Sequence, residues 1–592
     1  MTHLNWRPLV VLAKICLRAD PRRIAVLVAC ELLGTALKLL AAFGVKLEVD
    51  AVLRGDPRGA VAAAVVMALA LTGAGLTAQG YLRLTDRVID SAALVIDERL
   101  MRLSAGIPTI DHHERGRYLD EMTSLREDRQ VMPQMVNALV VNLRVVGFFS
   151  GALALLAWID PLLALLPVAG VALLLAHRVA KRLSRRARRA NAPLIRARDH
   201  LFKVATSPES GTELRLFGLA PELARRHLAL SERADAVTLR AALRGWAATS
   251  LAAVVVAAAF GTTIAVVLGG ATGAGIGSAV LALTLVGLVN AQLSAAAATA
   301  AYLHQVVETG ERLLWLEEHA ESRRDPPATT TVPATLRDGI RLSDVSFRYP
   351  DSERTVLHGI DLRLPAGACV ALVGENGSGK STLVKLLARM YRPTAGSITV
   401  DGVPVEAFDV EDWRRATTAG FQDFVRFELA VREGVGLGNH AARGRDLLVD
   451  RAIRRAGAHG FVSALPRGAD TPLGARWPEA VGLSGGQWQK LALARALTRP
   501  APLLAMMDEP AASLDAVSEH ELFKRLVGMR SAAQTHGGVL LFVSHRFATV
   551  RAADLVVVLD QGRVSQVGTH DALVAGGGLY AELYEMQARV YR

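Results

Sequence analysis

Apolar residues are unevenly distributed along this chain, because nearly every long apolar run lies in its first half. Windows of about 20 residues, the length of helix that crosses a bilayer, identify six candidate membrane spans there. The spans are Ile24–Gly44, Gly59–Gly80, Val136–Ile159, Pro161 to about Ala180, Ala247–Leu268 and Ile276–Ala301. Charged residues still make up 21% of the 592 positions, so the pattern predicts a membrane part joined to a soluble part.

The connections between these spans differ in length and charge. Long charged segments join the second span to the third and the fourth to the fifth, whereas residues 160–161 and 269–275 form short connections without Lys or Arg. Basic residues concentrate after the fourth span, at Lys181, Arg182, Arg185, Arg186, Arg188 and Arg189. By the positive-inside rule the long loops face the cytoplasm, which gives an all-α domain of six helices with both termini inside. The alternative is a soluble, Ala-rich helical bundle, since Ala favours helices without requiring a membrane.

The net charge of +12 fits either a nucleic-acid-binding protein or a membrane protein with basic cytoplasmic loops. The placement of the basic residues favours the second interpretation. Cys16, Cys30 and Cys369 are far apart and form no CxxC pair, so neither a metal site nor a disulfide framework is expected. Glu31 and Lys38 interrupt the first apolar run, which is unlike a cleavable signal peptide.

The character of the sequence changes after Glu318. A stretch rich in Pro and Thr reads as a linker, which sets the predicted boundaries at 1–320 for the membrane domain, 321–337 for the linker and 338–592 for the second domain. The predicted strands of the second domain are Ile340–Tyr349, Cys369–Val373, Leu503–Met507 and Val539–Val543, with a hairpin over Leu555–Val567. Strands that alternate with helical segments predict an α/β domain built on a parallel sheet.

A glycine-rich loop follows the second of these strands. Residues 374–382 read Gly-Glu-Asn-Gly-Ser-Gly-Lys-Ser-Thr and match the GxxxxGK[ST] phosphate-binding pattern, between a predicted strand and a predicted helix. The glycines let backbone N–H groups curl round phosphate oxygens, Lys380 neutralises the β and γ phosphates, and the Ser381 hydroxyl ligates Mg²⁺. The predicted ATP-binding residues of this loop are Gly374, Asn376, Gly377, Ser378, Gly379, Lys380, Ser381 and Thr382.

Two acidic residues, Asp508 and Glu509, follow the apolar run Leu503–Met507. In a P-loop site the first carboxylate holds Mg²⁺, and the second orients and polarises the attacking water. On its own such a pair is more often an exposed acidic turn at the end of a strand. Beside a phosphate loop it predicts an ATP-hydrolysing site.

The pentapeptide Leu483-Ser484-Gly485-Gly486-Gln487 resembles the signature of ATP-binding-cassette (ABC) proteins. It lies between the phosphate loop and the acidic pair, which is the order found in that family. The resemblance extends to the whole chain, because six spans followed by a cassette is the layout of bacterial half-transporters of the exporter type. It implies a P-loop NTPase cassette in the cytoplasm, joined to a multi-pass domain in the inner membrane.

The resemblance also assigns roles to further residues. Tyr349 corresponds to the aromatic that stacks on adenine, and Gln422 to the glutamine that senses Mg²⁺ and the attacking water. Asp515, in Ser513-Leu514-Asp515, belongs to the loop that crosses to the partner cassette, and His545 contacts the γ-phosphate. The implied catalytic residues are Glu509, His545 and Gln422, and the implied metal ligands are Ser381, Gln422 and Asp508.

The family mechanism requires two cassettes. Each ATP is held between the phosphate loop of one cassette and the signature of the other, so Ser484, Gly486 and Gln487 would act on the partner's nucleotide. One chain carries one cassette, and the resemblance therefore implies a second half-transporter as partner. Because the signature and Glu509 are both intact, a homodimer and the competent half of a mixed pair both remain open. Intact Lys380, Glu509 and His545 argue against a silent regulatory subunit.

Two positions depart from the family pattern. Residues 476–480 read Arg-Trp-Pro-Glu-Ala where many exporters have a Gly-Glu-Arg-Gly-like stretch, and Trp488 follows the signature where Arg is common. These differences bear on coupling between domains rather than on ATP chemistry. The segments Asp111–Met122 and Glu209–Ala220 resemble the coupling helices that transmit cassette closure to the spans.

The cargo is the least constrained feature. Candidate cavity residues are the polar ones within the spans, namely Lys38, Asn142, Arg144, Asn290 and Gln292, although a pair of Glu31 with Lys38 on one helix face would be structural. A lining of Ala, Leu and Val favours an apolar or amphipathic small molecule, lipid or peptide. Export is the expected function; an importer of exporter architecture and a soluble cassette ATPase acting on nucleic acid are the alternatives.

Overall fold

The computed structural model describes residues 6–159, 166–207, 210–268, 276–440, 444, 446–474, 478–509, 537–544 and 546–590. The chain divides into two compact units. The first comprises Met1–Arg102 and Thr123–Glu317, and the second comprises Leu103–Met122 and Glu318–Arg592. A short piece from the first half of the sequence therefore belongs to the second unit.

Helices build the first unit. Their bounds are α1 Trp6–Ala19, α2 Pro21–Leu53, α3 Pro57–Ala105, α4 Gly116–Glu127, α5 Met135–Ile159, α6 Leu166–Thr206, α7 Gly211–Leu216, α8 Ala220–Leu268 and α9 Ile276–Ser322. In chain order α2, α3, α5, α6, α8 and α9 contain the six predicted spans, except that residues 160–165 at the start of the fourth span are outside the described part. By length and composition, α2, α3, α5 and residues 220–259 of α8 are sufficient to cross a membrane.

Small residues let the long helices of the first unit approach one another. A Cβ added at Gly245 of α8 would lie only 3.0 Å from the Cβ of Ala180 in α6. Phe148 of α5 and Leu281 of α9 belong to one buried apolar cluster and are at most 1% exposed. By contrast Leu69 of α3 is 68% exposed, as expected for a side chain that faces lipid.

One buried ion pair links two of the spans. The Arg144 Nη1 of α5 donates to Glu31 Oε1 of α2 at 3.3 Å, and Glu31 is only 8% exposed. The alternative pair considered for Glu31, with Lys38 on its own helix, is therefore wrong: Arg144 lies closer to the carboxylate across the helix interface. Burial favours this arrangement because a carboxylate in a low-dielectric interior requires a charged or hydrogen-bonding partner.

The second unit contains two sheets. Their strands are β1 Gly339–Arg348, β2 Thr355–Pro365, β3 Cys369–Gly374, β4 Ala395–Val400, β5 Val403–Pro404, β6 Thr417–Gly420, β7 Leu504–Asp508, β8 Val539–Val543, β9 Leu555–Asp560 and β10 Arg563–Gly568. The first sheet is antiparallel in the order β2-β1-β4-β5, and the second has the order β10-β9-β3-β8-β7-β6. In the second sheet all neighbours are parallel except the β9–β10 hairpin, which confirms the predicted α/β class.

The central strand β3 is buried on both faces of the second sheet. Val370 and Leu372 face one apolar cluster together with the helix that follows the phosphate loop, α10 Lys380–Leu387. Cys369 and Ala371 face the other cluster. The further helices that contribute to the two clusters are α11 Val410–Ala416, α12 Val431–Gly436, α13 Asp446–Arg455, α14 His459–Ser463 and α15 Gly485–Ala496. Alternating side chains of a strand point to opposite faces, so a short and wholly apolar strand is what a sheet covered on both sides requires.

The segment Leu103–Met122 is attached to the cassette within the second unit. The Ile110 backbone N–H donates to the Met390 carbonyl at 2.9 Å, and the Tyr391 hydroxyl donates to the Glu114 carboxylate. Residues 111–114 form a short 3-10 helix that presents these groups. The expectation that this stretch docks on a second domain agrees with these contacts.

A histidine cluster lies in the same segment. His112 is 1% exposed, its ring is 4.1 Å from that of His113, and it packs edge-on against Tyr118 at 4.6 Å. Neither ring nitrogen of His112 has a hydrogen-bond partner in the described part of the chain. Burial, followed by the neighbouring His113, lowers the pKa of His112 from 6.5 to about 4. His112 is therefore neutral in the folded protein at neutral pH.

We expect acidification to destabilise the second unit through His112. Because its pKa is lower in the folded state, the unfolded chain binds the proton first, and stability is lost as the pH falls below about 6.5. At pH 5 the loss is on the order of 2 kcal/mol. Thermal unfolding between pH 7.5 and pH 5 should show a smaller decrease for His112→Phe than for the wild type. His459→Gln, at an exposed position, is the control, and equal pH dependence of all three proteins would contradict the assignment.

Candidate nucleotide site

Three of the groups predicted for the nucleotide site lie at one edge of the second sheet. The phosphate loop leaves the carboxyl end of β3, Asp508 is the last residue of β7, and Gln422 lies two residues beyond the end of β6. These strands run parallel, with Gly420 opposite Met507 and Asp508 opposite Val543. The carboxyl ends of parallel strands meet at the same edge, so the topology gathers residues that are about 130 positions apart in the sequence.

Gly374, Gly377 and Gly379 of the phosphate loop have backbone conformations that other residues rarely adopt, and at two of them a side chain would also meet neighbouring atoms. Gly374 has φ +154°, and a Cβ there would lie 2.1 Å from the Leu559 carbonyl oxygen of β9. Gly379 has φ +103° and caps the amino end of α10, where a Cβ would lie 2.6 Å from Leu357. The loop therefore turns sharply between strand and helix, leaving the first N–H groups of α10 available for an anion.

Lys380 is held at the start of that helix. Its Nζ donates to the carbonyls of Gly374 at 2.9 Å and Glu375 at 2.7 Å, and the residue is 6% exposed. Burial lowers the pKa of Lys380, while the carboxylates of Glu509 and Asp508 raise it in part. A buried ammonium with two carbonyl partners and two nearby carboxylates is a strong attractor for phosphate oxygens.

Two of the three residues expected to hold a metal ion, Ser381 and Asp508, lie together. Asp508 is 5% exposed, accepts a hydrogen bond from Ser381, and has one carboxylate oxygen, Oδ1, without a partner in the described part of the chain. Burial raises the pKa of Asp508, and the hydrogen bond from Ser381 counteracts part of this rise. An unpartnered buried carboxylate oxygen beside a hydroxyl is an oxygen ligand pair of the kind that Mg²⁺ prefers, so these two residues fit a divalent cation.

Glu509 follows in an unusual backbone conformation, with φ +46°. Its N–H donates to the Val543 carbonyl at 3.2 Å, and the Gln489 Nε2 lies 3.5 Å from its carbonyl oxygen. Non-Gly residues with positive φ are uncommon and occur often at functional sites, where neighbours maintain them. Gln489, which is 8% exposed, was missed from the sequence; the visible signal is a polar residue on the buried side of the helix after the signature.

Tyr349 lies directly after β1 and borders a cavity. Its hydroxyl is 2.9 Å from the Thr382 hydroxyl of the phosphate-loop helix, and its ring packs edge-on against Phe347 and Tyr391. The cavity has a volume of about 670 Å³ and is lined by Tyr349, Arg348 and Asp111 among others. An aromatic side chain beside the phosphate loop and next to a cavity is suitably placed for a base.

The signature forms the amino end of α15, Gly485–Ala496. Ser484 is exposed and caps this helix: its hydroxyl accepts from the Gln487 N–H at 3.4 Å, while the Gln487 side chain accepts from the Ser484 N–H at 2.9 Å. In this reciprocal capping box the Gln487 side chain is hydrogen-bonded within its own chain. Trp488 is 6% exposed in the apolar cluster, so the departure at this position serves packing.

The remaining expected residues differ in how they are placed. Gln422 is exposed after β6, and Gly486 is half-buried in the first turn of α15. The γ-phosphate histidine His545 and the cross-interface residue Asp515 lie outside the described residues, as do Arg476 and Trp477. Ser544 lies between the end of β8 and His545, and its hydroxyl accepts a hydrogen bond from the Arg546 N–H at 3.0 Å.

Comparison with known proteins points in one direction. Residues 357–512 match the family model described as ABC transporter. The ATP-dependent lipid A-core flippase of Chromohalobacter salexigens is 31% identical over 485 residues, 81% of this chain and 80% of that protein, and the one of Bordetella avium is 32% identical over 69% of this chain and 68% of that protein. A bacterial Atm1-family ABC exporter with ATP bound matches with a TM-score of 0.74 and 25% identity, over 97% of this chain and 98% of that chain.

We expect Gly379→Ala to weaken nucleotide binding strongly. The left-handed φ costs about 1–2 kcal/mol for a residue with a Cβ, and the new methyl group must also displace Leu357. The dissociation constant of a fluorescent ATP analogue should rise by at least tenfold. Gly460→Ala is the matched control, because a Cβ there meets open space at an ordinary φ. Equal affinity of the two variants would show that the conformation at Gly379 is not needed.

Proposed function

Since this chain belongs to the ATP-binding-cassette transporter family and couples ATP hydrolysis to transport across a membrane, we propose that two copies form a homodimer that exports a lipid with an anionic headgroup. The membrane in question is the cytoplasmic one, with the cassettes on its cytoplasmic side.

For the nucleotide, the phosphates of ATP bind to the loop at 374–382 and the adenine stacks on Tyr349. Lys380 exchanges its two carbonyl partners for phosphate oxygens. Glu509 orients the attacking water and withdraws its proton, and Gln422 and His545 position the water and the γ-phosphate. The positive φ of Glu509 supports this role, because it sets the direction in which the side chain leaves the strand end. A base must be within hydrogen-bond reach of the water that it activates.

Ser381 and Asp508 would hold Mg²⁺, with Gln422 as a further ligand. The ion supplies positive charge that neutralises the phosphates. The support is the unpartnered Asp508 Oδ1 beside Ser381. Lys380 and the N–H groups of the loop hold the remaining phosphate charge.

The partner is a second copy of the chain. Ser484 and Gly485 are exposed at the amino end of α15, where the N–H groups of Gly485 and Gly486 are available for a phosphate on a facing cassette. Asn376, Gly377 and Ser378 of one copy and Ser484, Gly486 and Gln487 of the other would then enclose each ATP. Gln487 contributes by fixing the capping box rather than by direct contact.

A groove on the cassette provides the second contact of the dimer. It has a volume of about 400 Å³ and is lined by aromatic residues such as Phe421 and Phe424 and by the basic residues Arg414, Arg495 and Arg499. The segment Glu209–Ala220 carries complementary groups: Leu216 is 75% exposed and Phe217 is 64% exposed. We place this segment of the partner copy in the groove, as a coupling helix.

We expect the chain purified alone into lipid to hydrolyse MgATP, and Glu509→Gln to reduce the turnover by at least a hundredfold while ATP still binds. Removal of the base leaves the phosphate contacts intact, so binding and turnover should separate. The measurements are phosphate release and nucleotide affinity on the same samples. No turnover by the wild type, with ATP bound, would reject the homodimer and indicate a different half-transporter as partner.

The anionic cargo is inferred from a stripe of arginines on α6. Arg178, Arg182, Arg185, Arg186 and Arg189 are all exposed and follow the helical spacing of one face. The opposite face packs against α8, where Asn191 donates to the Ala234 carbonyl at 2.8 Å. No Asp or Glu occurs between residues 161 and 198, and the five arginines have no acidic partner in the described part of the chain.

A stripe of this kind needs an anion, because five like charges on one helix face repel one another. The stripe begins at the end of the fourth span, where the helix leaves the hydrocarbon core and passes the lipid headgroups. The apolar surface of the spans suits acyl chains. The lipid A-core flippases among the relatives act on a lipid by name, which agrees with a phosphate-bearing lipid as cargo here.

We expect Arg182→Gln, Arg185→Gln and Arg189→Gln together to reduce transport of an anionic lipid by on the order of tenfold, since each lost cation weakens attraction to the headgroup. In liposomes whose cassettes face outward, ATP should carry fluorescent phosphatidylglycerol into the inner leaflet, where dithionite cannot reach it. The matched control replaces the same arginines by Lys and should transport at near the wild-type rate. ATP-driven movement towards the outer leaflet would indicate import, and unchanged transport by the Gln variant would reject the stripe as the cargo contact.

A further inference from the structure

We propose that Arg414 is a positioning residue that transmits the filling of the cassette groove, the one of about 400 Å³, to the segment Leu103–Met122 of its own chain. This role rests on the proposed homodimer, in which the segment Glu209–Ala220 of the second copy fills that groove. The attachment of one segment to the cassette then depends on the presence of the other.

The backbone of Arg414 is firmly held on its helix. The Asp409 side chain caps the amino end of α11. The neighbouring Trp413 is 1% exposed, and its Nε1 donates to the Leu387 carbonyl at 3.0 Å. The Arg414 carbonyl accepts from Arg499 Nη1. Since the backbone is fixed on both sides, the side chain is the part of Arg414 that can respond to the groove.

One nitrogen of the Arg414 side chain reaches the segment. Its Nη2 donates to the Pro108 carbonyl and, at 2.9 Å, to the Arg389 carbonyl. Two residues beyond Pro108, the Ile110 N–H donates to the Met390 carbonyl at 2.9 Å. Arg414 and Met390 both line the groove. The segment is therefore fastened to two residues that also form the groove wall.

Arg389, the other acceptor for Arg414, is itself immobilised. It has φ +54° and a buried side chain. Its Nη1 donates to the Phe408 carbonyl at 2.8 Å, and its Nη2 donates to the Asp325 carboxylate at 2.8 Å. A rotation of the Arg414 guanidinium therefore breaks its contacts at this point and does not draw Arg389 with it. The contact with Pro108 is lost in the same rotation.

The Arg414 guanidinium has a donor left over. Its Nε is shielded from solvent and has no hydrogen-bond partner in the described residues. The group is planar and rigid, so turning one N–H towards a new acceptor withdraws another. Water in an open groove offers such acceptors. The exposed side chains of Leu216 and Phe217 would exclude that water, which leaves the Pro108 carbonyl as the preferred acceptor and strengthens this hydrogen bond.

The consequence is a dependence between the two copies. Each cassette holds its own segment Leu103–Met122 firmly only when the segment Glu209–Ala220 of the other copy lies in its groove. By linkage the effect is reciprocal, because a free-energy coupling between two contacts acts equally in both directions. Arg414 thus joins the two attachments into one cooperative contact.

The test follows exchange of the Ile110 amide hydrogen, measured by mass spectrometry on the peptide 107–114 of the full chain in nanodiscs. Leu216→Ala with Phe217→Ala empties the groove and should make exchange about fivefold faster. Arg414→Lys should have a similar effect with the groove filled, because one ammonium cannot hold both carbonyls. The combined variant should exchange within about twofold of either parent, since both changes remove the same contact.

Filling of the groove is measured separately. Val425 lines the groove and is 60% exposed within its own chain. In a background with Cys16, Cys30 and Cys369 replaced by Ala, the rate at which a maleimide labels Val425→Cys reports access to the groove. Labelling should be slow in the otherwise unmodified chain and faster in the double Ala variant.

Two matched controls make the result specific. Arg495 also lines the groove but donates to the Gly434 carbonyl at 2.9 Å, so Arg495→Lys should preserve the effect of emptying the groove on exchange. Leu447 is 81% exposed on α13, and Leu447→Ala should change neither exchange nor labelling. If Arg414→Lys fails to assemble, Arg414→Gln takes its place with the same expected results.

Three outcomes would overturn the role of Arg414. Faster labelling of Val425→Cys in the double Ala variant, without faster exchange at Ile110, would reject the transmission and leave the dimer contact standing. Unchanged labelling would show that the second copy does not fill the groove, and this part of the proposed homodimer would fall as well. Rate increases that multiply in the combined variant would show that Arg414 holds the segment independently of the groove.

Discussion

The nucleotide site depends on the burial of β3 between β8 and β9. This strand presents only apolar side chains to both faces of the sheet, since Val370 and Leu372 pack on one side and Cys369 and Ala371 on the other. Its chemistry is therefore confined to its carboxyl end, where the chain turns at Gly374 with φ +154°. Gln422, Asp508 and Glu509 are placed by reference to that end, because β6 and β7 run parallel to β3 and finish at the same edge of the sheet.

The buried charges at this edge of the sheet stabilise one another. Lys380 is almost fully buried, and burial lowers its pKa, while Asp508 and Glu509 counter this effect. Asp508 is disfavoured as an anion by the same burial, and the Ser381 hydroxyl offsets part of it. These buried charges, with one unpartnered carboxylate oxygen, are suited to bind a phosphate and a cation together. The phosphate compensates the buried ammonium of Lys380, and the cation compensates the buried carboxylate of Asp508.

The membrane unit shows the same principle at its surface. The stripe on α6 consists of exposed cations without acidic partners in the described residues, and it begins at the end of an apolar run. It lies opposite the face of α6 that packs on α8, so its charges are available to an anion.

The sequence by itself determined the six spans, the α/β class of the cassette and the identity of the phosphate loop, because hydropathy and glycine placement are local properties that any fold must respect. It also indicated Asp508 and Glu509 from their position after an apolar strand. Only the tertiary structure decided that Glu31 pairs with Arg144 rather than Lys38, that Gln489 approaches Glu509, and that Leu103–Met122 belongs with the cassette. These contacts join residues that are distant in sequence or on different elements, and their energies depend on the packing of whole helices and strands, which no local pattern records.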